Sequence, residues 1–185
     1  MRRMLLKELP RYECLIEASQ CYPGLDPSAC EVFLNLLHTV DILAEKESEY
    51  LAPYNLSQAR FVVLMFLSES DEKIKSSDVA AELAVSKATV TGLLDSLERD
   101  GLIERIASKE DRRIIFVQLS NKGKKLLDKV APGYFKSVSE MTGVLDEKER
   151  RQVVASMQKI KTHLSEKERS SHHANTQQKK KTRIG

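Results

Sequence analysis

The chain has 185 residues, 41% of them hydrophobic, which suits one folded domain with extensions. No apolar run approaches the ~18 residues that span a bilayer, and charges interrupt the start of the chain too early for a secretion signal. We therefore expect a cytoplasmic protein without a membrane partner. The net charge of +3 depends on residues 170–185, which carry four basic side chains and no acid, so the rest of the chain has a net charge of −1. Net charge alone therefore does not establish nucleic-acid binding.

The sequence also lacks the short motifs that carry common catalytic chemistry. It contains no nucleophile elbow, no phosphate-binding Walker loop and no His-Glu-x-x-His segment. A small hydrolase or redox enzyme therefore has no recognisable constellation of residues here. We expect no catalytic residues and no cofactor, which means that the chain is not an enzyme.

The three cysteines, Cys14, Cys21 and Cys30, all lie in the first sixth of the chain. An odd number without a secretion signal argues against a disulfide framework. In one continuous helix Cys14 and Cys21 would stand ~10 Å apart, beyond the ~7 Å between Cα atoms that a disulfide allows. We therefore expect reduced cysteines that are buried and inert.

Two other roles for this region stay open. Cys14 follows Arg11 closely, and a thiol with a depressed pKa and partial exposure could sense oxidants. Cys30, Glu31 and His38 could bind zinc, but eight residues separate Cys30 from His38, and this spacing does not place two ligands on one helical turn. We therefore expect no metal site.

Capping residues and apolar spacing predict three helices in the first third of the chain. The first covers residues 11–21. The second begins with Asp26 as N-cap and continues to about Leu51, before Pro53. The third follows Ser57, and residues 68–75 are expected to form a loop.

The middle of the chain changes from helical to strand-like spacing. Ser77 is expected to cap a short helix, and after a turn at 84–85 Ser86 caps a longer one that ends at a left-handed Gly101. In this longer helix four apolar residues form one buried stripe: Val90, Leu93, Leu94 and Leu97. Residues 102–106 and 114–119 then favour strands on either side of a polar hairpin.

Two further helices are predicted, and the chain then becomes polar. Ser120 caps a helix that runs to about Met141, and Asp146 with Glu149 forms a capping box for the next one. Beyond about Lys167 the composition predicts a disordered basic tail. The predicted regions are 1–56 and 121–167 for dimerisation helices, 57–120 for a DNA-binding module, and 168–185 for the tail.

This order of elements is that of a winged helix-turn-helix, in which the second helix of the pair lies in the major groove of DNA. The fold class expected is mainly α with a small β-hairpin wing, flanked by N- and C-terminal dimerisation helices. Among the candidate DNA-binding residues, those at the start of the recognition helix are small or hydroxylated apart from Lys87, and those at the wing tip are arginines. The candidates are Ser77 in the helix before it, Ser86, Lys87, Ala88, Thr89 and Thr91 in the recognition helix, and Arg112 and Arg113 in the wing.

The same region resembles the MarR family of bacterial transcription regulators. The resemblance rests on the runs 86–91 (SKATVT) and 97–103 (LERDGLI), and on a wing signature. That signature is matched at Asp111, Arg113, Val117, Leu119, Ser120 and Gly123.

The resemblance implies a homodimer that binds pseudo-palindromic operators in double-stranded DNA, usually as a repressor, and is released by a small molecule or an oxidant. It implies that Arg113 enters the minor groove while Asp111 holds it by a salt bridge. It also places a ligand cleft near His38, Asp41, Tyr54 and Met65. One departure is Gly92, where many relatives carry Arg, so the operator preference of relatives does not transfer. An architectural DNA-binding protein without sequence preference remains the alternative.

Overall fold

A computed structural model describes residues 8–70, 73–83, 85–111 and 114–181, with side chains as far as residue 167. The chain divides into two compact units, one that ends at Lys136 and one that begins at Ser137. The helices are α1 (Tyr12–Cys21), α2 (Pro27–Leu51), α3 (Gln58–Ser68), α4 (Ser76–Glu82), α5 (Lys87–Arg99), α6 (Asn121–Thr142) and α7 (Glu147–Lys181). The strands are β1 (Ile74–Lys75), β2 (Ile103–Ala107) and β3 (Ile115–Leu119).

The predicted helix starts in the first unit are confirmed where a side chain caps the helix. The Asp26 carboxylate accepts hydrogen bonds from the amides of Ser28 and Ala29, at 2.9 and 3.1 Å. The Ser28 hydroxyl also donates to this carboxylate at 2.8 Å, and this bond, followed by the bond from the Ala29 amide, holds the pKa of Asp26 below its usual value. The Ser57 hydroxyl accepts from the Arg60 amide at 3.3 Å. Between these helices a 3-10 turn, Ala52–Tyr54, leads α2 into α3.

The core of the first unit forms where α3, α5 and the start of α6 pack on the sheet. Its largest fully buried side chains are Leu51, Leu64, Leu94, Leu97, Val63, Val79, Val117 and Val130. The sheet is antiparallel in the order β1–β3–β2, with Arg105 opposite Val117 and Ile74 also paired with Val117. This arrangement holds the two wing strands beside α5.

Two expectations for residues 68–77 are wrong. Ile74–Lys75 form β1 instead of part of a loop, because they pair with β3. Two residues are too few to show the alternating pattern that predicts a strand. Ser77 is not a cap: Lys75 is the N-cap of α4, and the Ser77 hydroxyl contacts Asp78 at 3.1 Å. Ser76 instead donates to the Ile115 carbonyl at 3.0 Å and ties the helix start to β3.

The expectation of buried cysteines is also wrong. Cys14 and Cys21 are exposed on α1, and Cys30 is partly exposed at the start of α2. The reason is that α1 buries only Leu15 against its surroundings, so a ten-residue helix leaves its other faces open. No group of three or more metal-ligating side chains occurs within the described ranges.

The second unit contains the end of α6 and the whole of α7. The predicted capping box is confirmed, because the Asp146 amide donates to Glu149 at 2.8 Å and the Glu149 amide donates to Asp146 at 2.9 Å. The helix α7 continues to Lys181, and the expectation of disorder beyond Lys167 stays a prediction. This stretch contains neither Pro nor Gly and is rich in helix-forming Lys and Gln, and a low hydrophobicity does not prevent a helical backbone.

Both units leave apolar side chains uncovered in the single chain. On α2 the exposed set is Val32, Phe33, Leu37, Val40, Ile42 and Leu43. On α7 it is Val153, Val154, Met157, Ile160 and Leu164. None of the helices in the described part of the chain is long and apolar enough to span a membrane.

Candidate nucleic-acid interface

The recognition helix α5 begins at a hydroxyl cap that organises its first turn. The Ser86 hydroxyl accepts a hydrogen bond from the Thr89 amide at 3.1 Å and lies 2.8 Å from the Thr89 hydroxyl. Ser86 is therefore the N-cap, as the sequence predicted. The turn exposes the amide end of the helix, whose partial positive charge attracts phosphate.

The two faces of α5 differ sharply in burial. Val90, Leu94 and Leu97 are at most 2% exposed and Leu93 is half-buried, which confirms the predicted stripe. The opposite face exposes the predicted contact residues, namely Ser86, Lys87, Ala88, Thr89 and Thr91. The structure therefore brings five of the eight candidate DNA-binding residues together on one face.

This exposed face carries few long hydrogen-bond donors. The Thr91 hydroxyl donates to the Lys87 carbonyl at 2.8 Å, and Ser86 and Thr89 bond to each other. The groups left to face outward are therefore methyl groups and the Lys87 ammonium. At Gly92 a Cβ would meet nothing within 4 Å, so a side chain at this position would point into open space.

The wing tip is partly described. The Ser108 amide donates to the Ile114 carbonyl at 3.0 Å, and the Ser108 hydroxyl accepts from the amides of Glu110 and Asp111. These bonds close the hairpin that the sequence predicted. Arg112 and Arg113 lie outside the described residues, and so does the predicted salt bridge of Arg113 with Asp111.

An arginine on the wing reaches the recognition helix. The Arg105 guanidinium contacts Asp95 at 2.6 Å and Glu98 at 3.3 Å, and lies 3.5 Å from the Thr91 carbonyl. Sequence reasoning missed this contact, because Arg105 reads as an ordinary outward charge in a strand. The spacing of acids at Asp95 and Glu98, one helical turn apart, was the only local signal.

The turn after α5 is held from two sides. Arg60 on α3 pairs with Asp100, and Lys122 on α6 donates to the Asp100 carbonyl at 2.7 Å. Gly101 adopts φ = 70°, which L side chains rarely adopt, so it ends the helix as predicted. The Ser120 hydroxyl donates to the Gly101 carbonyl at 2.6 Å and accepts from the Gly123 amide at 3.0 Å.

A cavity of about 660 Å³ lies between α4, α5 and the wing strands. Three cationic side chains line it, from Lys75, Lys87 and Arg105, above an apolar floor that includes Val90 and Leu94. Ser77 also lines this cavity, which places it near the start of α5 although it does not cap α4. The exposed edge of α5 is thus bordered by positive charge.

The comparisons with known proteins agree with this geometry. The MarR family model matches residues 56–115. The HTH-type transcriptional repressor YetL of Bacillus subtilis is 36% identical over 137 residues, covering 74% of this chain and 82% of YetL.

The chain belongs to the MarR family.

Solved structures of this family share the fold. AbsC of Streptomyces coelicolor, a MarR family transcriptional regulator, is 26% identical, has a TM-score of 0.68, and is matched over 75% of this chain and 95% of its own. Sco3205 of the same organism, solved in complex with DNA, has a TM-score of 0.69 at 18% identity, over 74% of this chain and 87% of its own. The predicted fold class is therefore confirmed, and the chain is a DNA-binding transcription regulator and not an enzyme.

The residues expected near a MarR-type ligand cleft lie on three elements. All four side chains are half-buried, and Tyr54 and Met65 also pack against the core. None of the four lines the 660 Å³ cavity beside α5. The Tyr54 ring is covered by the Lys129 ammonium, 5.6 Å from the ring centre.

An aromatic cluster that sequence reasoning missed lies beside Tyr54. The Tyr134 ring lies 4.4 Å from Phe61 and 6.2 Å from Tyr50, and its hydroxyl donates to Glu47 at 2.5 Å. Burial, followed by the hydrogen bond to Glu47, raises the pKa of Tyr134 to about 12. The cluster joins α2, α3 and α6, and its members are far apart in sequence, so no local pattern predicts it.

Proposed function

We propose that the protein is a cytoplasmic homodimeric repressor that binds pseudo-palindromic operators and is released by a small-molecule ligand. The observation that carries the proposal is the exposed start of α5, capped by Ser86 and held beside the wing. Residues Ser86 to Thr91 would enter the major groove, and Arg112 and Arg113 would enter the flanking minor groove. The name of YetL as a repressor supports the direction of regulation.

The uncovered apolar faces support the dimer. The exposed side chains of α2 and α7 lie in the regions 1–56 and 121–167, outside the module at 57–120. Several exposed apolar side chains on one helix mark an interaction site, and most soluble oligomers are symmetric homo-oligomers. A two-fold dimer would present two copies of α5 to one side of the DNA.

The operator geometry tests the proposal directly. Two recognition helices related by a two-fold axis need half-sites about 10 bp apart on one side of the duplex. An operator selected from random duplexes should therefore contain an inverted repeat. An insertion of 5 bp between the half-sites should abolish tight binding, because it rotates one half-site by half a turn. An insertion of 10 bp is the control for spacing alone. Equal affinity for random and selected duplexes at matched salt would instead favour an architectural protein.

The dimer is tested by a matched pair of charge insertions on α7. Met157→Glu places a charge within the apolar set, whereas Gln158→Glu adds the same charge at a neighbouring polar position. We expect sedimentation to show dissociation or aggregation for Met157→Glu and a dimer for Gln158→Glu. A dimer of unchanged stability in both variants would exclude this face from the interface.

The effector would bind among residues of α2, α3 and the 3-10 turn that joins these helices. His38, Asp41, Tyr54 and Met65 offer an imidazole, a carboxylate, a phenol and a thioether, which suit a small aromatic effector. Phenolic compounds that release the operator should lose this effect in Tyr54→Ala while DNA affinity without ligand is kept. Release that is unchanged in Tyr54→Ala and in His38→Ala would place the effector elsewhere.

The exposure of Cys14 favours a second candidate, a thiol that senses oxidants. An accessible thiol can be oxidised, whereas a buried one is protected. If this candidate holds, peroxide lowers the DNA affinity of the wild-type protein but not of Cys14→Ser. Cys21→Ser is the matched control, because Cys21 is also exposed on the same helix but has no neighbouring arginine in the sequence.

A further inference from the structure

Arg105 joins the wing to the recognition helix by charge, through Asp95 and Glu98 of α5. It is on β2, opposite Val117 of β3, and its side chain is 25% exposed. The guanidinium crosses from the strand to α5 rather than pointing along the wing. Its position is therefore fixed by the sheet at one end and by α5 at the other.

The guanidinium contacts three acceptor groups on consecutive turns of α5. They are the Thr91 carbonyl at 3.5 Å, the Asp95 carboxylate at 2.6 Å and the Glu98 carboxylate at 3.3 Å. Arginine presents several N–H donors in a rigid plane, so one side chain can hold several acceptors at fixed angles. The contact therefore restrains the rotation of α5 relative to the wing as well as the distance between them.

The same contact changes the electrostatics of the DNA-facing helix. Asp95 and Glu98 are 48% and 44% exposed, and they are carboxylates on the element that approaches a polyanion. Without a cation beside them, both would repel phosphate. Arg105 offsets part of this charge from behind the helix.

We propose that Arg105 is a positioning residue for DNA reading, which couples the recognition helix to the wing so that both engage their grooves together. The inference rests on the proposed function, in which α5 reads the major groove and the wing reads the flanking minor groove. Because the two are locked, a base change in the half-site and a change of the flanking A·T steps should be energetically coupled. A protein with a free wing would read the two sites independently.

The experiment measures Kd for four duplexes: the selected operator, a half-site change, a flank change from A·T to G·C, and both changes. For the wild-type protein we expect the two losses to be non-additive by a factor of about five or more. Arg105→Gln should weaken operator binding by about tenfold and should abolish this coupling. Arg99→Gln removes the same charge from the exposed end of α5, and we expect it to keep the coupling.

Removal of the acids separates the two parts of the proposal. In the triple variant with Asp95→Asn, Glu98→Gln and Arg105→Gln, affinity should recover by several-fold because the repulsion is gone, whereas the coupling should remain absent. Arg105→Lys keeps the charge but not the planar contact, so it should retain affinity better than coupling. A melting temperature near that of the wild type, checked for each variant, assigns the change to positioning.

The outcomes distinguish this inference from the function on which it rests. If wild-type protein does not prefer an inverted repeat, the proposed function fails. If the wild type has that preference and Arg105→Gln keeps the coupling, the inference about Arg105 is wrong while the function stands. If Arg105→Gln does not fold, loss of the coupling in the Asp95→Asn and Glu98→Gln double variant supports the inference, and its retention overturns it.

Discussion

Arg60 on α3 and Asp100 at the end of α5 form an ion pair that joins two helices whose residues are 40 positions apart. The Arg60 side chain is only 12% exposed, and it also donates to the carbonyl of Asn55 at 3.0 Å. Asn55 has a left-handed backbone with φ = 55°, at the point where the 3-10 turn after α2 ends. A single guanidinium therefore connects the exit from α2 with the exit from the recognition helix.

Arg60→Ala should lower the free energy of unfolding by about 2–3 kcal/mol, because it leaves a partly buried carboxylate and a carbonyl without their donor. Urea denaturation measures the change. Arg151→Ala is the control, since it breaks the exposed pair of Arg151 with Glu147 and should cost less than about 1 kcal/mol. Equal losses in the two variants would contradict a structural role for Arg60.

Gly133→Ala and Gly92→Ala should have opposite effects on stability, although both glycines lie within helices. A Cβ at Gly133 would overlap the Tyr50 hydroxyl, whereas a Cβ at Gly92 meets open space. We expect Gly92→Ala to stabilise the protein by about 0.5–1 kcal/mol and Gly133→Ala to destabilise it by about 1–3 kcal/mol.

Tyr50→Phe tests the cause of the Gly133 effect. The Tyr50 hydroxyl donates to the Val130 carbonyl at 3.0 Å, so Tyr50→Phe alone should lower the free energy of unfolding. The same change also makes room for a methyl group at position 133. Gly133→Ala should therefore cost less in the Tyr50→Phe background than in the wild type, as measured by a double-mutant cycle. Strict additivity would exclude the overlap as the cause.

The stability of the protein should fall at alkaline pH because of Tyr134. Burial and the hydrogen bond to Glu47 raise the pKa of Tyr134 to about 12 in the native state, against about 10 in an unfolded chain. The native state thus keeps the proton longer, so the contribution of Tyr134 is fully present below about pH 10 and is lost as pH rises towards about 12. In urea denaturation between pH 8 and 11, the free energy of unfolding should fall less steeply with pH for Tyr134→Phe than for the wild type. Tyr22→Phe, at an exposed position, should decline as steeply as the wild type.

Ser86→Ala and Ser86→Asp should separate helix capping from DNA binding. Alanine removes the cap and should cost about 1 kcal/mol of stability, whereas aspartate is a good N-cap and its charge suits the helix N-terminus. The melting temperature of Ser86→Asp should therefore equal or exceed that of the wild type, while its DNA affinity should be the weakest of the three. Ser57→Asp makes the same change at the cap of α3 and should leave affinity nearly unchanged. Tight binding by Ser86→Asp would remove the start of α5 from the interface.

Features with a local cause could be predicted from the sequence. Asp26, Ser57 and Ser86 cap helices because each side chain bonds an amide two or three residues ahead. Gly101 ends α5 because its own backbone adopts the left-handed conformation. The predicted order of elements, and with it the fold, follows from such short-range relations.

Features with a distant partner could not be predicted. Arg60 and Arg105 read as surface charges until the fold brings Asp100 and Asp95 beside them. Strand β1 exists only because β3 pairs with it, and the N-cap of α4 is Lys75 at the end of this strand instead of the predicted Ser77. The exposure of the cysteines depends on how little of α1 is covered, which composition does not reveal.

Ser120 has a consequence for the order in which the chain folds. Its hydroxyl bonds both the turn after the recognition helix, at Gly101, and the first turn of α6, at Gly123. Its amide donates to the Leu102 carbonyl at 3.0 Å, which a Cβ at Gly123 would overlap. During synthesis the N-terminal residues emerge first, so the hydrogen bonds from Ser120 to the turn after the recognition helix can form only after residues 120–123 have left the ribosome. The turn that ends α5 is thus stabilised by a segment that is made about twenty residues later than the helix itself.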